Sequence, residues 1–176
     1  RYSNTPVVVA PHNLTLGGGC ELTMHADKVV AHAEAYIGLV EFGVGLIPGG
    51  GGTKEFVKRL SEELIEGDIR INALRERFLT VGQAKVGTSA YEAFDLGYLR
   101  EGQDEVIVSR EYQLTRAKAA CLEMANKGYT APLREKNITI MGQEGLGIVY
   151  VGAHSMQSGK YISEHDQLIS EKLGFV

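Results

Sequence analysis

The chain has 176 residues, 44% of them hydrophobic and 23% charged, which suffices for one domain with a substantial core. A net charge of −4 gives no support for nucleic-acid binding, and no apolar run approaches the roughly 18 residues of a membrane span. The two cysteines, Cys20 and Cys121, lie far apart and form neither a disulfide framework nor a zinc pattern, so we expect a reduced, cytoplasmic setting.

The first third of the chain is predicted to contain strands and turns. Val7 to Ala10 is an apolar run typical of a buried strand, and it is followed by three successive glycines. The predicted elements are, in chain order, a strand over 7–10, a helix over 20–26, a strand over 28–31, a short strand at 36–37, a loop over 48–52 and a helix over 53–60.

From Ser61 onward the pattern becomes helical. Apolar residues recur at helical spacing in two stretches, and Ser163 with Asp166 resembles a capping box. The first stretch contains Ile71, Leu74, Phe78 and Val81. The second stretch, in a helix that Ser109 could cap, contains Leu114, Ala117, Cys121 and Met124. Further helices are predicted over 89–94, over 143–157 and after Ser163.

The glycine-rich segments fail the common nucleotide and nucleophile motifs. Gly51-Gly52 is followed by Thr53-Lys54, the wrong order for a P-loop. Pro48 stands where a dinucleotide fingerprint needs its third glycine. The chain lacks a G-x-S-x-G elbow, an H-E-x-x-H pair and any clustered metal-ligand set, so no metal site is predicted.

The remaining interpretation is that the glycines expose backbone N–H donors next to carboxylate side chains. Gly18, at the start of a predicted helix, exposes an N–H that has no partner within the helix and that suits a developing oxyanion. The alternative is that the glycines only permit tight packing of strand on helix. Glu21 would lie in the first turn, and Glu41 lies in an apolar run where a core would not place a charge. His25 is expected to be solvated or hydrogen-bonded rather than to tune Glu21.

Two segments together resemble the crotonase (enoyl-CoA hydratase/isomerase) superfamily. Residues 16–22 read LGGGCEL, and residues 41–53 read EFGVGLIPGGGGT, with Glu41 twenty positions after Glu21. The likeness covers about the first 60 residues well. Residues 159–166, GKYISEHD, resemble more loosely the extension of a subgroup in which a 3-hydroxyacyl-CoA dehydrogenase precedes the hydratase in one chain.

The resemblance implies an α/β fold, the second half of a crotonase-like ββα spiral core followed by a helical C-terminal region. It divides the chain into a core segment over 1–60, a helical insertion with oligomerisation-type helices over 61–132, and a helical extension over 133–176. Because the chain begins without methionine and enters a strand almost at once, we expect it to be part of a longer protein.

The resemblance also implies the site. Gly18 would supply one N–H of the oxyanion hole for an acyl-CoA thioester, and the second N–H would come from an earlier segment. Glu21 and Glu41 would hold a water between them, supported by the N–H of Gly49. Glu21 would activate that water and Glu41 would protonate C2, with an exchange of these roles as the alternative.

The implied reaction is hydration of trans-2-enoyl-CoA to 3-hydroxyacyl-CoA in fatty-acid β-oxidation, as part of a longer enzyme. The alternatives are an enoyl-CoA isomerase or other acyl-CoA lyase of the superfamily, and a non-catalytic assembly module. The expected partners are an acyl-CoA substrate and further copies of the protein, in a trimer for example. No cofactor is expected in this segment. NAD is expected only in a preceding dehydrogenase domain.

Overall fold

Strands and helices alternate at the start of the chain, and helices dominate the remainder. The computed structural model describes residues 2–65 and 67–176. The strands are β1 (Val8–Val9), β2 (Leu14–Leu16), β3 (Lys28–His32), β4 (Tyr36–Gly38), β5 (Val86–Gly87) and β6 (Glu105–Ile107). The helices are α1 (Gly18–Met24), α2 (Gly52–Glu63), α3 (Arg70–Gly82), α4 (Ala90–Asp95), α5 (Arg110–Asn126), α6 (Gly142–Ser158) and α7 (Glu164–Phe175), with a 3-10 helix over Glu41–Val44.

The chain forms two compact units, each assembled from two separate stretches of sequence. Unit 1 comprises Arg1–Gly38 and Val86–Lys136, and unit 2 comprises Leu39–Lys85 and Asn137–Val176. Unit 1 therefore contains the strands together with α1, α4 and α5, whereas unit 2 contains the 3-10 helix, α2, α3, α6 and α7. The three-part division along the sequence describes segments rather than packing, and it stays a prediction.

Unit 1 is built on a parallel sheet in the order β1-β3-β6. Val8 lies opposite Lys28, and Val30 lies opposite Glu105. The central strand β3 is buried along its middle, as a strand of a parallel sheet covered on both faces requires. α5 covers one face, where Ala117 and Ala120 pack against Val30.

The buried face of α5 differs from the predicted one. Leu114 is 76% exposed, whereas Gln113 is buried beside Ala117 and Ala120. The side-chain amide of Gln113 donates to the carbonyl oxygens of Pro11 (2.8 Å) and Val30 (2.9 Å). The prediction was wrong for Leu114, whose place on the buried face is taken by an amide side chain that satisfies backbone acceptors beside the sheet, whereas Ala117 is buried as predicted.

A second sheet positions the first glycine segment. β2 pairs in parallel with β4, and β4 pairs antiparallel with β5. The chain leaves β2 through Gly17, whose φ of 55° lies in the left-handed region that favours glycine. The Gly17 N–H donates to the Gly38 carbonyl at 2.9 Å, which fixes the end of β2 against β4 just where α1 begins.

A charged cluster joins three elements of unit 1. Glu105 on β6 accepts two hydrogen bonds from Arg116 on α5 (2.8 and 2.7 Å), and Lys28 on β3 lies 2.6 Å from the same carboxylate. The hydrogen bonds from Arg116, and then the nearby Lys28, hold the pKa of Glu105 below its usual range despite partial burial. The ionised carboxylate is therefore favoured in the folded state.

We expect Glu105→Gln to lower the free energy of unfolding at pH 7 by about 1 kcal/mol, since the cluster is partly exposed to solvent. Because folding depresses this pKa, the stabilisation is present above the unfolded value near 4.3 and is lost as pH falls through the folded value. Urea unfolding at a series of pH values from 7 downward should show the difference between the two proteins shrinking in acid. Glu111→Gln, an exposed change on the same helix, is the control, and a difference that does not shrink as the pH falls would contradict the expectation.

In unit 2, α6 and α7 pack closely. A side chain at Gly174 would bring its Cβ within 2.9 Å of Val149, so this helix crossing requires glycine. The predicted capping box is confirmed: Ser163 Oγ accepts from the Asp166 N–H at 3.1 Å, and Asp166 accepts from the Ser163 N–H at 3.0 Å. No helix described over 2–65 and 67–176 is long and apolar enough to span a membrane.

Candidate functional site

The first part of the candidate site is the start of α1 in unit 1. Gly18 is the first residue of this helix, so its N–H has no acceptor within the helix. Gly18 is exposed, and a Cβ built there would meet nothing within 4 Å. Packing within the described chain therefore does not explain a glycine at this position. The close approach of a ligand to the N–H would explain it.

Glu21 lies in the first turn of α1, as predicted, and is only 5% exposed. Its own N–H donates to the Gly17 carbonyl at 3.0 Å. Residues three apart share one side of a helix, so Glu21 and Gly18 lie on the same side of this first turn. The positive end of the helix dipole favours a carboxylate there. The turn therefore combines an exposed backbone donor with a buried acidic side chain.

His25 is hydrogen-bonded, as expected. Its Nδ1 lies 2.6 Å from the backbone carbonyl oxygen of Glu21. A carbonyl can only accept, so Nδ1 carries the hydrogen and donates. This bond supports the C-terminal end of α1, where the His25 N–H also donates to the Glu21 carbonyl at 3.2 Å.

The second part of the candidate site is the 3-10 helix of unit 2. Glu41 is its first residue, half-buried, with its Oε2 atom shielded from solvent. The Gly43 N–H donates to the Val40 carbonyl at 3.0 Å, and the Leu46 N–H donates to the Glu41 carbonyl at 3.0 Å. Gly45 ends the helix with φ of 79°, a left-handed conformation that favours glycine. Sequence reasoning identified the glutamate but not this short helix.

Gly49 lies in the loop that leads into α2. It is exposed, its φ is not positive, and a Cβ built there would meet nothing within 4 Å. In contrast, Gly51 has φ of 96° and serves as the N-cap of α2. Gly49 thus resembles Gly18: the described chain itself leaves room for a side chain at both positions.

The four predicted site residues fall into two pairs. Gly18 and Glu21 belong to unit 1, whereas Glu41 and Gly49 belong to unit 2. Within the described part of the chain, no three His, Cys, Asp or Glu side chains are grouped as metal ligands would be. The side chains offered by both pairs are carboxylates, which suit proton transfer.

Sequence reasoning missed a set of buried charges in α2. Glu55 is fully buried and lies 2.9 Å from the ammonium of Lys54, while Lys58 and Arg59 are each 4% exposed. Lys58 also pairs with Glu62, one helical turn further on. A run of charged residues in a helix normally indicates a solvated face, so no local pattern distinguishes these buried charges.

Unit 2 also contains an apolar cavity of about 290 Å³. Its wall comes from α2, α3, α6 and the end of α7, and includes Thr53, Val57, Leu74 and Leu146. Arg77, another wall residue, lies over the ring of Phe56 at 5.6 Å from its centroid. The cavity volume lies just below the roughly 300–1,000 Å³ range of ligand pockets.

A model of the enoyl-CoA hydratase/isomerase family matches residues 1–73. A crystal structure of enoyl-CoA hydratase from Bacillus anthracis is similar with a TM-score of 0.51 and 25% identity, over 97% of this chain and 52% of that one. The first 73 residues of the chain thus match this family in sequence, and the fold of the chain is similar to that of an enoyl-CoA hydratase. The α/β, crotonase-like fold class predicted from the sequence is thereby confirmed.

Two curated relatives refine the likeness. Over its whole length the chain is 42% identical to the probable 3-hydroxyacyl-CoA dehydrogenase of Bacillus subtilis, of which it spans 22%. Over 61 residues, 35% of the chain, it is 39% identical to 2,3-dehydroadipyl-CoA hydratase of Escherichia coli, of which it spans 24%. The crotonase segment is thus similar to hydratases, while the whole chain is similar to part of a protein named as a dehydrogenase.

Proposed function

We propose that the protein containing this chain hydrates trans-2-enoyl-CoA to 3-hydroxyacyl-CoA in fatty-acid oxidation. The observation that carries the proposal is the first turn of α1, where an exposed N–H at Gly18 and the buried carboxylate of Glu21 share one side. The match of residues 1–73 to the enoyl-CoA hydratase/isomerase family supports an acyl-CoA thioester as the ligand. An oxyanion donor and a proton carrier in one turn are what this addition needs.

The proposed step moves two protons, one from water to Glu21 and one from Glu41 to C2. Glu21, ionised, takes a proton from water as the water oxygen bonds to C3. The π electrons shift onto the thioester oxygen, where the Gly18 N–H stabilises the negative charge. Glu41, initially protonated, delivers its proton to C2, and the thioester carbonyl reforms. Gly49 offers its N–H to the water.

An isomerase of the same family is the second candidate. Moving a double bond requires a proton to leave one carbon and return to another, which a single carboxylate can perform. The presence of two glutamates, Glu21 and Glu41, favours hydration because that reaction needs separate groups for the water and for C2. Neither reaction changes oxidation state overall, so neither requires NAD in this segment.

The wider setting of the enzyme is part of the same proposal. A 3-hydroxyacyl-CoA dehydrogenase in the same protein would consume the hydration product, and the Bacillus subtilis relative carries that name. We propose a cytoplasmic homo-oligomer, for which the exposed apolar side chains Ile148, Tyr150 and Val151 on α6 offer a contact surface. The coding sequence upstream of this segment tests the fusion, since a dinucleotide fingerprint there is expected.

The cavity of unit 2 is proposed as the site of the acyl tail. Thr53, in its wall, follows Gly49 by four residues, so its Cα lies at most about 14 Å from that of Gly49. An alkyl chain entering an apolar cavity gains about 0.8 kcal/mol for each buried methylene group. This proposal assigns longer enoyl-CoA substrates to the enzyme in addition to crotonyl-CoA.

Val57→Phe should fill part of the cavity and shorten the preferred substrate. We expect kcat/KM for decenoyl-CoA, relative to crotonyl-CoA, to fall about fourfold for each methylene group displaced. Val108→Phe, on the 75% exposed Val108, adds the same bulk outside the cavity and should leave the ratio unchanged. An unaltered ratio in Val57→Phe would remove the cavity from the acyl site.

The function itself is tested with crotonyl-CoA, whose conjugated thioester absorbance disappears on hydration. This chain and the complete natural protein should be assayed side by side. Activity in the complete protein supports hydration, and activity restricted to it would support a second oxyanion donor outside this chain. If neither binds acyl-CoA, both enzyme proposals fail and an assembly role becomes the better account.

A further inference from the structure

A histidine from the C-terminal helix contacts the backbone just after Glu41. The Nε2 atom of His165, in the first turn of α7, lies 2.8 Å from the Gly45 carbonyl oxygen. Because a carbonyl can only accept, Nε2 carries the hydrogen and donates. Both residues lie in unit 2, although they are far apart in sequence. The predicted site did not include His165.

The contact depends on glycine at position 45. The left-handed φ of 79° favours glycine, and a Cβ built there would lie 3.2 Å from Nε2 of His165. Gly45 also ends the 3-10 helix that begins at Glu41, and the Gly45 N–H donates to the Phe42 carbonyl at 3.1 Å. The histidine therefore holds the closing residue of the short helix whose first residue is the proposed proton donor.

The exposed His165 lies on a well-defined helix start. Ser163 and Asp166 flank it in the capping box, and the Ser163 hydroxyl donates to Asp166 at 2.8 Å. These hydrogen bonds from Ser163, backbone first, keep the pKa of Asp166 below its usual range, with a smaller contribution from His165. Further along α7, Ile169 and Leu173 are buried.

The 3-10 helix is also supported from a second direction. A Cβ at Gly43 would lie 3.5 Å from the Ala84 Cβ, an ordinary contact just beyond the end of α3. Ala84 and the His165 ring therefore approach different residues of the same short segment. Of these two approaches, the one from His165 is a hydrogen bond, and it reaches the residue that ends the helix.

We propose that His165 is a positioning residue: by donating to the Gly45 carbonyl it fixes the 3-10 helix and thereby the direction of the Glu41 carboxylate. The inference rests on the proposed function, in which Glu41 protonates C2. It assigns a role to the 159–166 segment, which the hydration chemistry alone leaves unused. Proton transfer is sensitive to misplacement of the carboxylate by about 1 Å.

The test compares His165→Ala with His165→Gln in the complete natural protein. We expect His165→Ala to lower kcat on crotonyl-CoA about tenfold with KM changed less than about twofold. The amide of glutamine reaches as far as Nε2, so His165→Gln should restore most of kcat. His154→Ala, a change of an exposed histidine on α6, is the matched control and should behave as wild type.

Amide hydrogen exchange supplies a readout that does not depend on activity. The N–H groups of Gly45 and Leu46 should exchange faster in His165→Ala and regain protection in His165→Gln. Wild-type kcat or unchanged exchange in His165→Ala would overturn the inference. Failure of the proposed function has a different signature, namely no hydration by the wild-type protein or full activity in Glu41→Gln.

Discussion

Glu41→Gln and Glu21→Gln are each expected to lower kcat for enoyl-CoA hydration by roughly 10²–10⁴-fold in the complete protein. Glutamine keeps the size and polarity of the side chain but can neither accept the proton of water nor supply one to C2. KM should change little, since the loss falls on the transition state rather than on substrate binding. The free energy of unfolding should also change little, because the shape of the buried Glu21 side chain is preserved.

Matched controls exist in each unit. Glu34 in unit 1 and Glu144 in unit 2 are exposed glutamates, and Glu34→Gln and Glu144→Gln should retain wild-type turnover. The double variant Glu21→Gln/Glu41→Gln should be far less impaired than the product of the single effects, since the two groups act on one water. Near-wild-type rates in either single variant would reject its assignment, while loss in one alone would point to the isomerase.

Gly18→Pro should lower kcat roughly 10²–10³-fold by removing one oxyanion donor. Proline is well tolerated at the first position of a helix, where its missing N–H has no intrahelical partner. Gly18 is this first residue in α1, and a Cβ at Gly18 would meet no atom within 4 Å. We therefore expect normal folding, measured by thermal unfolding, together with a large loss of turnover on crotonyl-CoA.

Two further variants separate the donor from the fold. Gly18→Ala keeps the N–H, and its Cβ meets no atom of the chain within 4 Å, so it should lose much less turnover than Gly18→Pro. Gly19→Ala, at the next position of the same turn, brings a Cβ to an ordinary 3.9 Å from Thr15 and tests helix stability alone. Equal losses in Gly18→Ala and Gly18→Pro would show that bulk, not the donor, matters at this position.

Local sequence patterns predicted the long and strongly marked elements. The helix starting beside Gly18, strand β3, helix α3 and the Ser163 capping box each have a hydrophobic period or a cap that specifies them. Strands β2, β5 and β6 contain two or three residues each, too few for a period, and they are fixed by pairing with distant partners. On α5 the buried residue is Gln113 rather than Leu114, and the Gln113 amide donates to two backbone carbonyl oxygens beside the sheet.

The candidate site, like the fold, could be predicted from the sequence only in part. Glu21, Glu41, Gly18 and Gly49 could be proposed because each lies in a glycine motif with a matching family pattern. The structure adds that Gly18 and Gly49 have room for a side chain, whereas Gly17 and Gly45 need glycine for their backbone angles. His165 could not be inferred from the sequence, since its contact with Gly45 joins residues 120 positions apart.

The central claim is that the complete protein adds water to an enoyl-CoA. Incubation with trans-2-decenoyl-CoA in D2O, followed by mass spectrometry of the product, tests it most directly. Hydration by the proposed route predicts a 3-hydroxyacyl-CoA that has gained one water and carries one deuterium on C2. A product that retains the mass of the substrate, apart from exchanged hydrogens, and has a shifted double bond would contradict the account and identify an isomerase.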